Sequence, residues 1–152
     1  MTAEELLKRY ATGERDFSGV NLREVDLNGT DLRRINLSRA DLIGSDLAGS
    51  NLTEANLTGA NCAGARLRDT NLTKANLTEV NLKCAVLETA RLENANLTRA
   101  DLTEANLAGA NLIGAELFNA KANYANLIRA NLSSANVSSM EKSSQNKGSG
   151  LS

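Results

Sequence analysis

Leucine and alanine recur along this chain with a period of five residues. Central positions run from Phe17 to Val137 at every fifth residue, which makes 25 units without interruption. Leucine fills 21 of these centres, alanine fills 16 of the positions two residues earlier, and Asn or Asp precedes the centre in 20 units. Each unit is therefore a small residue, Asn or Asp, leucine and two variable residues. The centres without leucine are Phe17, Cys62, Ala122 and Val137.

This period excludes a helix and predicts a chain that coils around an axis. Positions five apart on an α-helix are rotated by about 140° and share no face. In a strand, side chains two residues apart point to the same side, so the small residue and the leucine of a unit can both face inward. Three positions then separate the leucine from the next small residue, which breaks the alternation once per unit. An extended piece followed by a corner satisfies both spacings, and its repetition predicts an all-β solenoid.

The units, such as residues 95–99 (ANLTR), resemble the repeats of the pentapeptide-repeat family. The resemblance covers residues 15–139. It implies a right-handed quadrilateral parallel β-helix with four units in each turn, so that the 25 units would make about six turns. At the usual strand spacing of about 4.8 Å, such a rod is roughly 30 Å long.

The segments on either side of the repeat lack its period. Residues 1–14 predict a capping helix, because Thr2 and Glu5 match a capping box and Leu6 lies in an apolar stripe. We expect this helix to cover the open end of the first turn, since solenoids need caps; partner docking is the alternative. The segment also resembles the N-termini of cyanobacterial pentapeptide-repeat proteins. Residues 140–152 are rich in Ser and Gly and predict a disordered tail.

The centres of the units predict the core and the placement of both cysteines. Cys62 occupies a centre and is expected to point inward, whereas Cys84 follows a centre by two positions and is expected to point outward. A disulfide between them is therefore not expected. The predicted core stack is represented by Leu42, Leu57, Leu72, Leu87 and Leu97.

Composition argues against catalysis and against charged partners. The chain has 17 basic and 18 acidic residues, a net charge of −1, so neither nucleic acid nor a membrane surface is expected to bind directly. Histidine is absent, which removes the usual general base and the commonest metal ligand. No Gly-rich phosphate loop appears. We therefore expect no enzyme, no cofactor and no metal. Without an apolar signal segment at the start, a cytoplasmic protein is expected.

One group of outward positions departs from the polar pattern of the rest. Large apolar or aromatic residues occupy outward positions within a single predicted turn, where earlier turns mostly carry Thr, Ser, Gly and charged residues. They fall on successive sides and so predict a girdle around the rod. Local packing and scattered exposure are the alternatives to a contact zone. The residues are Ile113, Phe118, Tyr124 and Ile128.

These observations predict a non-catalytic, rigid rod that acts by protein–protein contact. Its partner would be another protein or a second copy joined through the C-terminal end. A regulatory or scaffold protein of cyanobacterial type fits the resemblance. The alternative is a DNA-mimic inhibitor of DNA gyrase or topoisomerase, as in some members of the family. Basic residues such as Arg34, Arg68 and Lys74 interrupt the acidic surface that this role requires.

Overall fold

Backbone hydrogen bonds explain why five residues form the building block. The structure, a computed structural model, describes residues 1–143 and the strand at 147–148. In unit 55–59 every backbone N–H has an acceptor, which meets the requirement that buried backbone donors be paired. The pairs are Ala55 to the Leu52 carbonyl (3.0 Å), Asn56 to the Ile35 carbonyl (2.9 Å), Leu57 to the Asn76 carbonyl (2.7 Å), Thr58 to Asn56 Oδ1 (3.0 Å) and Gly59 to the Thr78 carbonyl (2.9 Å).

Successive turns lie directly on one another with a constant register. Parallel bridges join positions four units apart, from Asp16 with Asn36 to Lys121 with Glu141. Because the bridging residue is the one before each centre, the Asn or Asp of one turn stands over the equivalent residue of the next. The chain therefore returns to the same side of the coil after every fourth unit.

The corners are four-residue turns whose third residue has a positive φ. Gly59 (φ +66°) occupies this position comfortably, but Glu54 (φ +60°) and Thr89 (φ +56°) are L-residues in the left-handed region. Such a conformation costs roughly 1–2 kcal/mol for a residue with a Cβ. The N–H of Glu54 donates to the Thr73 carbonyl at 2.9 Å, so the same corner also binds the next turn. Hydrogen bonding between turns offsets the strain.

The core is the inside of the coil. Phe17, Cys62 and Ala122 are buried like the leucine centres, and most alanines two residues earlier are buried beside them. Three buried polar residues stand at alanine positions. Ser50 Oγ and Thr70 Oγ1 both donate to the Leu47 carbonyl, whereas Ser45 Oγ has no partner among the described residues.

The N-terminal end of the coil is covered by helix α1 (Ala3–Ala11). Thr2 is its N-cap, with its hydroxyl accepting from the Glu5 N–H at 3.1 Å, and the sequence-based prediction of a helix here agrees with the structure. Leu6 is fully buried in the core cluster, together with the first centre, Phe17. Because Leu6 packs in the core with Phe17, α1 lies over the first turn as a cap.

The C-terminal end continues farther than the leucine pattern. The Glu141 N–H donates to the Ala120 carbonyl at 2.8 Å, so the ladder continues to Glu141, inside the segment predicted as a disordered tail. Ladder bonds use backbone groups, which every residue carries, and so do not require leucine. Strand β1 (Asn126–Leu127) pairs in parallel with β2 (Lys147–Gly148), one position beyond the register of the earlier turns. Residues 144–146 and 149–152 of the predicted tail lie outside the described part.

Candidate interaction surface

The girdle residues are the large apolar side chains that the wall exposes most. Their exposed fractions are 38% for Ile113, 40% for Phe118, 53% for Tyr124 and 42% for Ile128. Val137, at a centre near the C-terminal end, is 36% exposed. The described residues therefore concentrate their exposed apolar surface in the last turns.

Unit geometry determines the direction of each girdle side chain. Ile113, Phe118 and Ile128 directly follow a centre, and Tyr124 follows Ala122 by two positions, at the corner with φ +61°. The N–H groups of Ile113 and Ile128 each donate to the Asn Oδ1 two residues earlier, at 3.0 Å. The Tyr124 N–H donates to Ser143 Oγ at 3.1 Å. These bonds fix the backbone that presents the side chains.

The structure brings the four residues onto one turn but not onto one face. Residues on the same side of neighbouring turns are four units apart, whereas the girdle residues come from four successive units. Each therefore belongs to a different side. Whether they form an interaction surface stays a prediction.

An apolar pocket lies inside the turn that carries the girdle. Ala122, which stands where most units have leucine, lines this space of only about 10 Å³. Six leucines, together with Ala122 and Met140, line the pocket. The last turns therefore combine this small interior space with a more apolar outer surface than the middle of the rod has.

The predicted core residues lie in the interior. Leu42, Leu57, Leu72, Leu87 and Leu97 are each at most 2% exposed. Their side chains carry the packing that holds the wall, and none is available to a partner.

The two cysteines are free and lie in opposite environments. Cys62 is buried and Cys84 is exposed. Burial, with a smaller contribution from the negative charge of Asp41, raises the pKa of the Cys62 thiol to about 12. Cys62 is therefore a neutral core residue at physiological pH.

Charges along the rod are arranged in pairs of opposite sign. Arg34 Nη2 lies 3.8 Å from Glu54 Oε1, and Arg68 Nη1 lies 3.8 Å from Glu88 Oε1. In both pairs the partners stand on neighbouring turns, and between 34% and 75% of each side chain is exposed, so each pair contributes only about 0–1 kcal/mol. The surface shows no uninterrupted acidic stripe along these columns.

Sequence reasoning missed a polar cleft where α1 meets the wall. Tyr10 and Arg15 line it together with Arg33, Arg34, Thr53 and Glu54, and its volume is about 410 Å³. The register places residues 33–34 one turn after residues 13–14, next to Arg15, but nothing in the sequence places Tyr10 beside them. With that register, the three arginines are neighbours.

The described part of the chain contains neither a metal site nor a membrane-spanning helix. Within residues 1–143, no group of three or more His, Cys, Asp or Glu side chains could hold a metal ion. Over the same part, no helix combines the length and apolar character needed to cross a bilayer.

Comparison with known families decides the identity of the repeat. The model of pentapeptide repeats matches in eight copies, over residues 16–53, 35–73, 55–94, 81–117 and 110–140. The chain belongs to the pentapeptide-repeat family. Its relatives of known structure make it a right-handed β-helix solenoid, here with one short helix at the N-terminus. No protein with a curated description matches the chain.

Several solved pentapeptide-repeat structures are similar to it. HetL from the cyanobacterium Nostoc sp. strain PCC 7120, described as involved in heterocyst differentiation regulation, is 33% identical; the match covers 92% of this chain and 72% of HetL, with a TM-score of 0.42. A thylakoid-lumen protein of Arabidopsis thaliana is 29% identical over 68% of this chain and 69% of its own, with a TM-score of 0.52. The plasmid-mediated fluoroquinolone resistance protein QnrB1 is 16% identical; the match covers 85% of this chain and 83% of QnrB1, with a TM-score of 0.45.

Proposed function

We propose that this chain is a non-catalytic, rigid rod that binds a protein partner through its C-terminal turns. The supporting observation is the exposure of Phe118, Tyr124 and two isoleucines on a wall that elsewhere carries mainly small, polar and charged side chains. A regulatory or scaffold role in the cytoplasm of a cyanobacterium-like bacterium is the setting we propose for it.

Rigidity is the physical basis of this mechanism. The N–H groups of Ile113, Ile128 and Tyr124 are bonded to Asn side chains or to Ser143, so the presenting backbone is already ordered. Binding to an ordered surface avoids much of the entropy cost of association. Aromatic and aliphatic anchors of this kind contribute most of the affinity in many protein interfaces.

We propose a square rod of about six turns as the form of this surface. Four units per turn follow from the spacing of the bridges and the five-residue unit, and 25 units then give six turns and one further side. On such a rod the four girdle residues surround the shaft. A partner would therefore grip the end of the rod or wrap around it.

A second copy of the chain is one partner that we propose. Val137 is exposed and Leu132 and Met140 are only partly buried, so the C-terminal end offers apolar surface close to the girdle. Two copies meeting at this end would bury both regions together. We propose neither a membrane nor a nucleic acid as a direct partner.

Replacing Phe118 and Ile128 with serine tests the proposal. We expect the double variant to fold and to lose the self-association or partner recovery shown by the native chain. Light scattering measures the mass, and affinity capture from the native host followed by mass spectrometry measures partner recovery.

A matched control lies three turns earlier in the same two columns. Thr58→Ser with Arg68→Ser also introduces two serines but leaves the girdle intact, and it should behave like the native chain. If the girdle variant keeps its mass and its partners, the contact surface is not the girdle.

The alternative function is inhibition of DNA gyrase or topoisomerase by DNA mimicry. The paired charges, such as Arg34 with Glu54 and Arg68 with Glu88, disfavour it because the mimic needs a mainly acidic surface. A gyrase supercoiling assay separates the two functions. Potent inhibition by the native chain would reverse this ranking.

A further inference from the structure

The cleft between α1 and the wall is lined by three arginines and one glutamate. Three arginines, Arg15, Arg33 and Arg34, line a space of about 410 Å³ together with Tyr10, Thr53 and Glu54. The volume lies within the range of small-molecule sites, about 300–1,000 Å³. Its lining is chiefly polar side chains, which favours a charged ligand over an apolar one.

The helix side of the cleft is held in place by contacts within the protein. Tyr10 Oη donates to the Arg33 carbonyl at 2.8 Å and so ties α1 to the wall. Arg15 lies over the Tyr10 ring, with its Cζ atom 3.7 Å from the ring centroid. Arg15 Nη1 also donates to the carbonyls of Tyr10 and Glu14, each at 2.9 Å. Tyr10 and Arg15 therefore need little ordering when a ligand binds.

Each guanidinium keeps donors available. Arg15 uses only Nη1 in these bonds, and Arg33 uses Nε and Nη2 to hold Asp31 at 2.9 and 2.8 Å. Arg34 makes no side-chain hydrogen bond within residues 1–143, since its 3.8 Å approach to Glu54 is too long for one. The unused N–H groups belong to three separate arginines that line one space.

We infer that this cleft binds a small molecule through a phosphate or diphosphate group. A single guanidinium fork can satisfy a carboxylate, whereas a phosphate carries up to two negative charges and three acceptor oxygens that can use several forks at once. Asp31 occupies only one edge of the Arg33 guanidinium, which leaves the other edge to a ligand. Glu54 carries a negative charge that would repel the phosphate. A bound phosphate would replace Glu54 as the contact of Arg34.

Titration with inorganic phosphate and with pyrophosphate tests the site. The measurement is by nuclear magnetic resonance, following the backbone amides of residues 33–34 and 53–54 and the arginine Nε–H signals. We expect saturable shifts confined to the cleft for at least one anion. Arg34→Gln should weaken binding about tenfold or more, the usual effect of losing a hydrogen bond to a charged group.

The wall provides a control with an ion pair of the same length. Arg68 approaches Glu88 at 3.8 Å, as Arg34 approaches Glu54, but it lines no part of the cleft. Arg68→Gln should leave the affinity unchanged, and Glu54→Gln should raise it because a like charge is removed. Thermal melting confirms that each variant folds.

Three results would overturn the assignment. They are unsaturable shifts spread over all arginines, equal weakening by Arg34→Gln and Arg68→Gln, and weaker binding after Glu54→Gln. Each would show that the anions respond to general surface charge and not to a formed site.

Discussion

The two ends of the rod differ in how the core is closed. At the N-terminal end, α1 places Leu6 against the first turn, and Leu6 and Phe17 are at most 1% exposed. At the C-terminal end, Leu132 is only partly buried and Val137 is 36% exposed. The same repeat therefore buries its centres when a neighbour covers them and leaves them accessible when none of the described residues does. Each turn of a solenoid is stabilised by packing against its neighbours. A partner would therefore add most stability at an end where a neighbouring turn is missing.

Introducing a charge into the core in the middle of the rod should lower the free energy of unfolding more than any other single substitution. Leu72 is 1% exposed, with turns stacked on both sides, so Leu72→Arg buries an unpaired charge and should cost several kcal/mol. We expect loss of the folded state in circular dichroism and in urea titration. Thr73→Arg, one residue later on the outer surface, should fold normally. A Leu72→Arg chain that melts like the native one would mean that the centres do not face inward.

Truncating leucine at the two ends should sharpen the comparison between them. Leu6→Ala empties a fully buried position and should lower the free energy of unfolding by about 2–5 kcal/mol. Leu132→Ala removes a side chain that is already partly exposed, and should lower it by only about 1 kcal/mol. Urea denaturation of both variants gives the two values. Equal losses would contradict the difference in closure between the ends.

The smallest expected effect concerns two serines inside the wall. Ser45 Oγ has no partner among the described residues, so Ser45→Ala should stabilise the chain by about 1 kcal/mol. Ser50 Oγ donates to the Leu47 carbonyl at 2.7 Å, so Ser50→Ala should be neutral or destabilising by a similar amount. Thermal melts of the two variants distinguish them. Stabilisation by both changes would indicate that alanine is simply preferred at this position.

The fold was predictable because the same five-residue pattern occurs in 25 successive units. Position in the unit alone predicts that the side chain of Leu72 points inward and that of Thr73 outward. In the structure Leu72 is buried and Thr73 is partly exposed, in agreement with this prediction. The helical N-terminus followed from Thr2, Glu5 and the apolar stripe. The continuation of the ladder to Glu141 was not predictable, because backbone pairing leaves no mark on residue type.

The candidate sites were predictable only in part. The girdle residues could be identified since large apolar residues are conspicuous among outward positions, and the structure exposes them. The arginine cleft could not, because Arg15 stands at a position where later units hold alanine, and because α1 has no register in the repeat. Only the folded chain places Tyr10 against Arg33 and so joins the helix to the wall.

One turn of the coil takes four units, and the positions of the core, the girdle and the cleft all depend on this number. Paired cysteines measure this directly, in a chain with Cys84→Ser to remove the exposed native thiol. Neighbouring turns lie about 4.8 Å apart, within the Cα separation that a disulfide spans. Thr58→Cys with Thr78→Cys, one full turn apart, should therefore oxidise to an intramolecular disulfide, while Thr58→Cys with Thr73→Cys, one unit short of a turn, should not. Efficient cross-linking of the second pair and not of the first would contradict the four-unit turn.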